Sequence, residues 1–189
     1  VSIADATRAA CYAHASDRAR AADIFLQVFT PRFGDGVDVV LGIGRKPIYD
    51  SVTKLGKNLD EIAATNKRPI YSSLAAVPAD NLRPIALLEK DMNLPQASQI
   101  ALKALSRNKK GYFLMIEWDA HTDDPKRGLD SVVGFDKLIR EIAGQVNLNE
   151  TLLVFAADHS FELRSVGGKR GEPITKGLEE WKKTHAAKE

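Results

Sequence analysis

The sequence predicts an α/β fold: a layered α/β/α sandwich around a mainly parallel central sheet, here incomplete. Two observations predict it. Short, mainly apolar runs of strand length recur at residues 37–41, 111–116 and 151–157. Amphipathic stretches with helical spacing alternate with them, most clearly at residues 125–146. Strands of mainly apolar residues need cover on both faces, and helices laid over a parallel sheet provide it.

Each element follows in order. Residues 6–15 and 21–29 carry small and apolar side chains at helical spacing, until Pro31 and Gly34-Asp35-Gly36 break the pattern. The run 37–41 reads as a strand that closes in Gly42-Ile43-Gly44. Residues 51–64 read as one helix, with Val52, Leu55, Leu59, Ile62 and Ala63 on one side. Two further short strands are expected at 69–74 and 84–88, and an amphipathic helix at 96–107 anchored on Ile100, Leu102 and Leu105. The runs 111–116 and 151–157 are expected to join 37–41 in one sheet. Between them lies the strongest helix signal. Asp124 is its N-cap and Pro125 its first residue, and Leu129, Val132, Phe135, Ile139, Ile142 and Val146 form the apolar stripe. From 171 onward the chain is polar with a weak helix at its end. Residues 1–189 read as one partial domain, with 166–189 as a polar tail.

Composition narrows the function classes. The chain has 189 residues, 44% of them hydrophobic, which suffices for a sizeable core. Lys and Arg number 27 against 25 Asp and Glu, so no strongly basic balance points to nucleic acid. The single cysteine, Cys11, excludes an internal disulfide and a Cys-rich zinc module, and it reads as a small buried hydrophobe. No apolar run approaches the roughly 18 residues of a membrane-spanning helix. The chain opens on Val1-Ser2-Ile3, with no Met, and stops in a Lys-rich stretch. A partial chain, with no signal peptide of its own, is the expectation.

Ligands of open α/β sheets gather beyond the carboxyl ends of the strands. Two of the expected strands exit into metal-binding residue types: Glu117-Trp-Asp119-Ala-His121-Thr-Asp123-Asp124 and Asp158-His159. Carboxylates with imidazoles suit Zn²⁺, and clustered carboxylate and hydroxyl oxygens suit Mg²⁺. In an extended loop Glu117, Asp119 and His121 share a face, because alternate residues do. The competing reading makes Asp123 and Asp124 helix caps and the remainder a solvated loop. These two exits hold two of only four histidines, which favours metal.

These stretches resemble the alkaline phosphatase family, phosphomonoesterases with two zinc ions and one magnesium. Phe113-Leu-Met-Ile-Glu117 resembles the family strand that ends in a magnesium-binding glutamate, and Ala156-Ala-Asp158-His159 its T-A-D-H zinc motif. Asp5-Ala6-Thr7 matches the family's D-A-T, and Arg18, eleven residues on, falls where the family has its phosphate-binding arginine. An arginine fork can grip two phosphate oxygens at once. Val37-Asp-Val-Val-Leu-Gly-Ile-Gly-Arg-Lys46 resembles V-D-V-x-L-G-G-G-x-K. That match displaces a dinucleotide loop at Gly42-Ile-Gly44, for which a third glycine and a following helix are not expected and Pro47 intervenes. The resemblance covers about residues 1–165.

The resemblance implies that Thr7 and Glu117 bind magnesium, that Asp158 and His159 bind one zinc, and that His121 binds the other. The spacing Glu117-Trp-Asp119-Ala-His121 is shorter than the family's, so Asp119 and Asp123 both stand as candidates for the remaining carboxylate. It implies a phosphomonoester substrate, a phosphoserine intermediate whose serine lies outside this chain, a periplasmic or secreted location, and room for a homodimer. A further zinc histidine has no counterpart in Lys169-Arg-Gly-Glu-Pro173, and His185 reads as a solvated tail residue. This chain alone is therefore expected to be inactive. His14 reads as a packing group on the first helix or as a group supporting the metal ligands from behind, and Trp118 as a lid or a loop anchor. The alternatives are a phosphodiesterase or other hydrolase of the same superfamily, and a metal- or phosphate-binding module without turnover.

Overall fold

A computed structural model of the chain describes residues 2–4, 12–31, 34–157, 171–173, 176 and 183. It is mixed α/β and divides into two compact units, residues 1–119 and 120–189.

The first unit holds a small parallel sheet with flanking helices. Its elements are α1 (Ala21–Leu26), β1 (Val40–Ile43), α2 (Arg45–Lys54), α3 (Leu59–Thr65), β2 (Ile70–Tyr71), a 3₁₀ turn (Leu74–Ala76), β3 (Ile85–Leu88) and α4 (Leu94–Leu105). The strand order is β1-β3-β2, all parallel, with Val40 opposite Ile85 and Ile70 opposite the same residue. Ser2 adds a parallel bridge to Ile43 at the outer edge of β1.

Strand alternation sends side chains to two cores. Val40, Ile85 and Leu87 pack with Phe25 of α1, Ile48 and Val52 of α2 and Leu59 of α3. Ala86 packs with Leu74 and with Ala97 of α4, and Leu41 and Tyr71 lie against this second core. The sheet is thus covered on both faces, as its apolar strands require. Phe25, Ile48, Ile85 and Leu87 are fully buried, each contributing roughly 1.5–3 kcal/mol relative to an exposed side chain.

Local chemistry sets the boundaries. The expected helix 51–64 is two helices. Gly56, at φ 70°, ends α2, and Asn58 starts α3 by accepting from the amides of Asp60 and Glu61 at 3.0 and 3.3 Å. Contrary to expectation, a helix does follow Gly44, since α2 begins at Arg45. Pro47 fits in its first turn, where an amide has no intrahelical acceptor to lose. Both glycines are packing positions. A Cβ on Gly42 would sit 2.6 Å from Cβ of Ile3, and one on Gly44 would collide with Ser2 Oγ. Residues 12–15 are not helical, and residues 5–11 of the first expected helix lie outside the described residues.

In the second unit α5 (Pro125–Ala143) starts as expected, with Asp124 Oδ1 accepting from the amides of Lys126 and Arg127 at 2.9 and 3.4 Å. It stops three residues before Val146. Leu138 and Ile142 are buried, whereas Val132 and Val133 are more than half exposed. Lys126–Asp130 and Arg140–Asp136 pair along its exposed surface.

The expectation that 111–116 and 151–157 join 37–41 in one sheet is not met. Neither segment is a strand, and Phe113, Leu152, Val154 and Phe155 are 81%, 89%, 73% and 68% exposed. Their composition is that of buried strands, but neither has a ladder partner among the described residues. A strand on its own leaves its amides and carbonyls to water, and isolated β structure is marginal.

Candidate functional site

The predicted site residues fall in three groups. Thr7, Asp158 and His159, with Asp5, Cys11 and His185, lie outside the described residues. Arg18 belongs to an exposed loop ahead of α1. Glu117, Asp119, His121 and Asp123 lie in the irregular stretch between α4 and α5.

The Arg18 loop is built by hydrogen bonds. Asp17 Oδ1 accepts from the Ala19 amide at 2.8 Å, and the Arg20 amide donates to the Asp17 carbonyl at 3.2 Å. Arg18 therefore occupies the tip of a turn. Arg20 is committed elsewhere, with Nε 2.6 Å from Asp23. His14 is exposed and outside any helix. Its main-chain amide donates to Gln27 Oε1 at 2.9 Å, and its carbonyl accepts from Gln27 Nε2 at 2.8 Å.

At the carboxyl ends of the strands, the amide of Lys46 donates to Glu89 at 3.2 Å. Its amine lies 2.6 Å from Asp50. The hydrogen bond to Asp50, and then its charge, hold the Lys46 pKa above the ordinary lysine value. Arg45 stacks over the Tyr49 ring, 4.4 Å from its centroid. Tyr49 donates to Asp60 at 2.6 Å, linking α2 to α3.

Glu117 and Trp118 are half-buried, and Asp119, His121 and Asp123 are exposed. Glu117, Trp118, Asp119 and His121 all make further interactions. Asp124 caps α5, as the cap reading holds; Asp123 does not share that role. Because 111–116 is not a strand, Glu117 does not leave a strand end as expected. Carboxylate and imidazole donors suit zinc and magnesium in kind. Among the described residues, however, no group of three or more His, Cys, Asp or Glu side chains is gathered to hold a metal. A separate groove of about 360 Å³ between the 3₁₀ turn and α4 is lined by Leu74, Val77, Gln96, Ile100 and Lys103 among others, and it contains no predicted site residue.

Sequence reasoning overlooked Arg68, Tyr49 and Gln27. Gln27 did leave a signal, a lone carboxamide in the apolar run Ile24-Phe-Leu-Gln27-Val-Phe29. Arg68 is 7% exposed and donates to the carbonyls of Val28, Asp38 and Arg83 at 3.3, 2.8 and 3.5 Å. Desolvation, then the nearby Arg83 charge, push its pKa down to about 10. It braces loops at the amino ends of the strands, away from the end where ligands gather.

The family model for alkaline phosphatase matches residues 79–189. The chain belongs to the alkaline phosphatase family. That match takes in both acidic and imidazole stretches, 117–124 and 158–159, and runs through the stretch read as a polar tail. Alkaline phosphatases among curated proteins give partial matches. The tissue-nonspecific isozyme of Felis catus is 33% identical over 75 residues, covering 37% of this chain and 14% of that enzyme. The mouse counterpart, Mus musculus, is 32% identical over 75 residues, with the same coverage. The alkaline phosphatase of Gadus morhua is 32% identical over 93 residues, 46% of this chain and 19% of that enzyme. The matched region is thus a small fraction of each of these alkaline phosphatases. No solved structure gives a significant match.

Proposed function

We propose that this chain is part of a metal-dependent phosphomonoesterase of the alkaline phosphatase type. The observation that carries the reading is the family match across 79–189, a stretch that contains Glu117, His121, Asp158 and His159. In this reading a serine outside the chain takes the phosphoryl group and water then releases it. Thr7 and Glu117 would hold magnesium. Asp158 and His159 would hold one zinc, and His121 with Asp119 or Asp123 the other. When bound, the metals stabilise charge on the attacking and leaving oxygens. Arg18 at its turn tip binds two phosphoryl oxygens and orients the group for in-line attack. A periplasmic or secreted location belongs to the same reading.

The test is turnover of an aryl phosphate by the full-length protein and by the 189-residue chain, both supplied with Zn²⁺ and Mg²⁺. The full-length protein should turn over and the chain alone should not. Arg18→Ala should lower kcat/KM by about 10- to 100-fold, the worth of charge-assisted hydrogen bonds to the phosphoryl group. His159→Ala should lower both bound zinc and rate. Robust turnover by the chain alone would overturn the external nucleophile, and full activity in both mutants would overturn the site assignment.

A further inference from the structure

The loop that carries Arg18 is anchored at its start, where Tyr12, Ala13 and Ala15 pack against the core of the first unit, but its outer part is open. His14 and residues 16–20 are all exposed, and none belongs to a helix or strand. An arginine that grips phosphate must nevertheless be held to within a fraction of an ångström to be effective. Polar contacts to α1 also tether this loop. The Gln27 carboxamide makes two of them, donating to and accepting from the main chain of His14, in the manner of a strand neighbour. Its Nε2 also donates to the Asp23 carbonyl at 3.1 Å, which fixes the carboxamide itself. Asp23 in turn holds Arg20 at the far end of the loop. Gln27 stands between Leu26 and Val28, both buried in the core of the first unit. The staple therefore ties an exposed loop to a rigid part of the molecule.

We infer that Gln27 is a positioning residue for Arg18, acting through the main chain of His14 and the turn at Asp17. This rests on the reading of Arg18 as the phosphate-binding arginine. Gln27 touches no substrate. It restricts where the turn tip stands, so that the guanidinium meets phosphate without first ordering its loop, a cost otherwise drawn from binding.

The experiment measures the inhibition constant of inorganic phosphate in the full-length protein, during aryl phosphate hydrolysis with both metals present. The variants are Gln27→Met, Gln27→Glu, Arg18→Ala and each Gln27 variant combined with Arg18→Ala. An inhibition constant does not depend on the amount of folded enzyme, so a simple loss of fold does not mimic the effect. Gln27→Met, which keeps bulk but makes neither bond, should weaken phosphate about fivefold. Gln27→Glu keeps the acceptor for the His14 amide but sets a carboxylate against its carbonyl, and it should weaken phosphate similarly; it carries the test if the Met variant does not fold. In the Arg18→Ala background neither change should weaken phosphate further, because the residue being positioned is gone. Additive losses, or unchanged affinity in the Gln27 single variants, would overturn the inference while leaving the Arg18 reading intact. Unchanged phosphate affinity in Arg18→Ala would overturn that reading, and the inference with it.

Discussion

Tyr49 and Arg68 show how single side chains tie elements together. Desolvation first, then the hydrogen bond to Asp60, push the Tyr49 pKa up from 10.0 to about 12. A raised value means that the fold favours the protonated phenol. Its stabilisation is whole below about pH 10 and is lost as pH climbs through about 12. Tyr49→Phe should cost about 1 kcal/mol near neutral pH. It should also flatten the alkaline fall in stability, read from urea unfolding across pH; parallel pH profiles for the two proteins would contradict the assignment. Arg68→Met should cost more, about 3 kcal/mol, because three loop carbonyls lose a buried donor, and a denaturation midpoint within error of the parent would refute the brace. Neither role was legible in the sequence. Arg68 reaches carbonyls 15 to 40 positions away, and nothing local marks it. Asp124, whose carboxylate accepts from the amides two and three residues on, was legible because its whole interaction lies within one helical turn.

Elements were legible where a local rule closes on itself. The runs near 37–41 and 84–88 became β1 and β3, and the apolar spacings at 96–107 and 125–146 became α4 and α5, each within a few residues. Helical periodicity alone could not see the break inside 51–64, because Leu55 and Leu59 keep the stripe in phase across Gly56 and the Asn58 cap. Gly42-Ile-Gly44 was read as a structural turn that no helix follows, whereas Gly42 and Ile43 lie within β1 and α2 follows Gly44 directly. Both glycines are needed because Ser2 and Ile3 lie against them and Gly44 adopts φ 102°. Gly44→Ala adds a methyl group where Ser2 sits and forces a left-handed backbone on alanine. It should destabilise by about 2 kcal/mol or more, and Gly42→Ala by about 1–3 kcal/mol. Thermal unfolding gives both values. A mutant of Gly44 as stable as the parent would show that the N-terminal segment does not rest on β1.

At the scale of the whole molecule, the family was legible while the site geometry was not. Motifs in order along the chain survive as sequence, whereas a metal site is a convergence, and its candidates are divided between described and undescribed residues. The same division appears in packing. Residues 21–105 hold a sheet covered on both faces, and the two later apolar runs have no ladder partner among the described residues. Exposed apolar segments outside any helix or strand open easily, because few buried contacts resist them. They also present uncharged, β-prone surface to solvent. Limited chymotrypsin digestion of this 189-residue chain should therefore cut after Phe113 and Phe155 well before Phe25, which is fully buried, and mass spectrometry of the first fragments reads the order. A charged substitution is the companion test. Phe155→Lys should leave the unfolding midpoint within about 0.5 kcal/mol of the parent, since an already exposed side chain loses no burial. Early cleavage elsewhere, or a large loss of stability in Phe155→Lys, would mean that 111–116 and 151–157 are paired strands in solution, as their composition alone would have them.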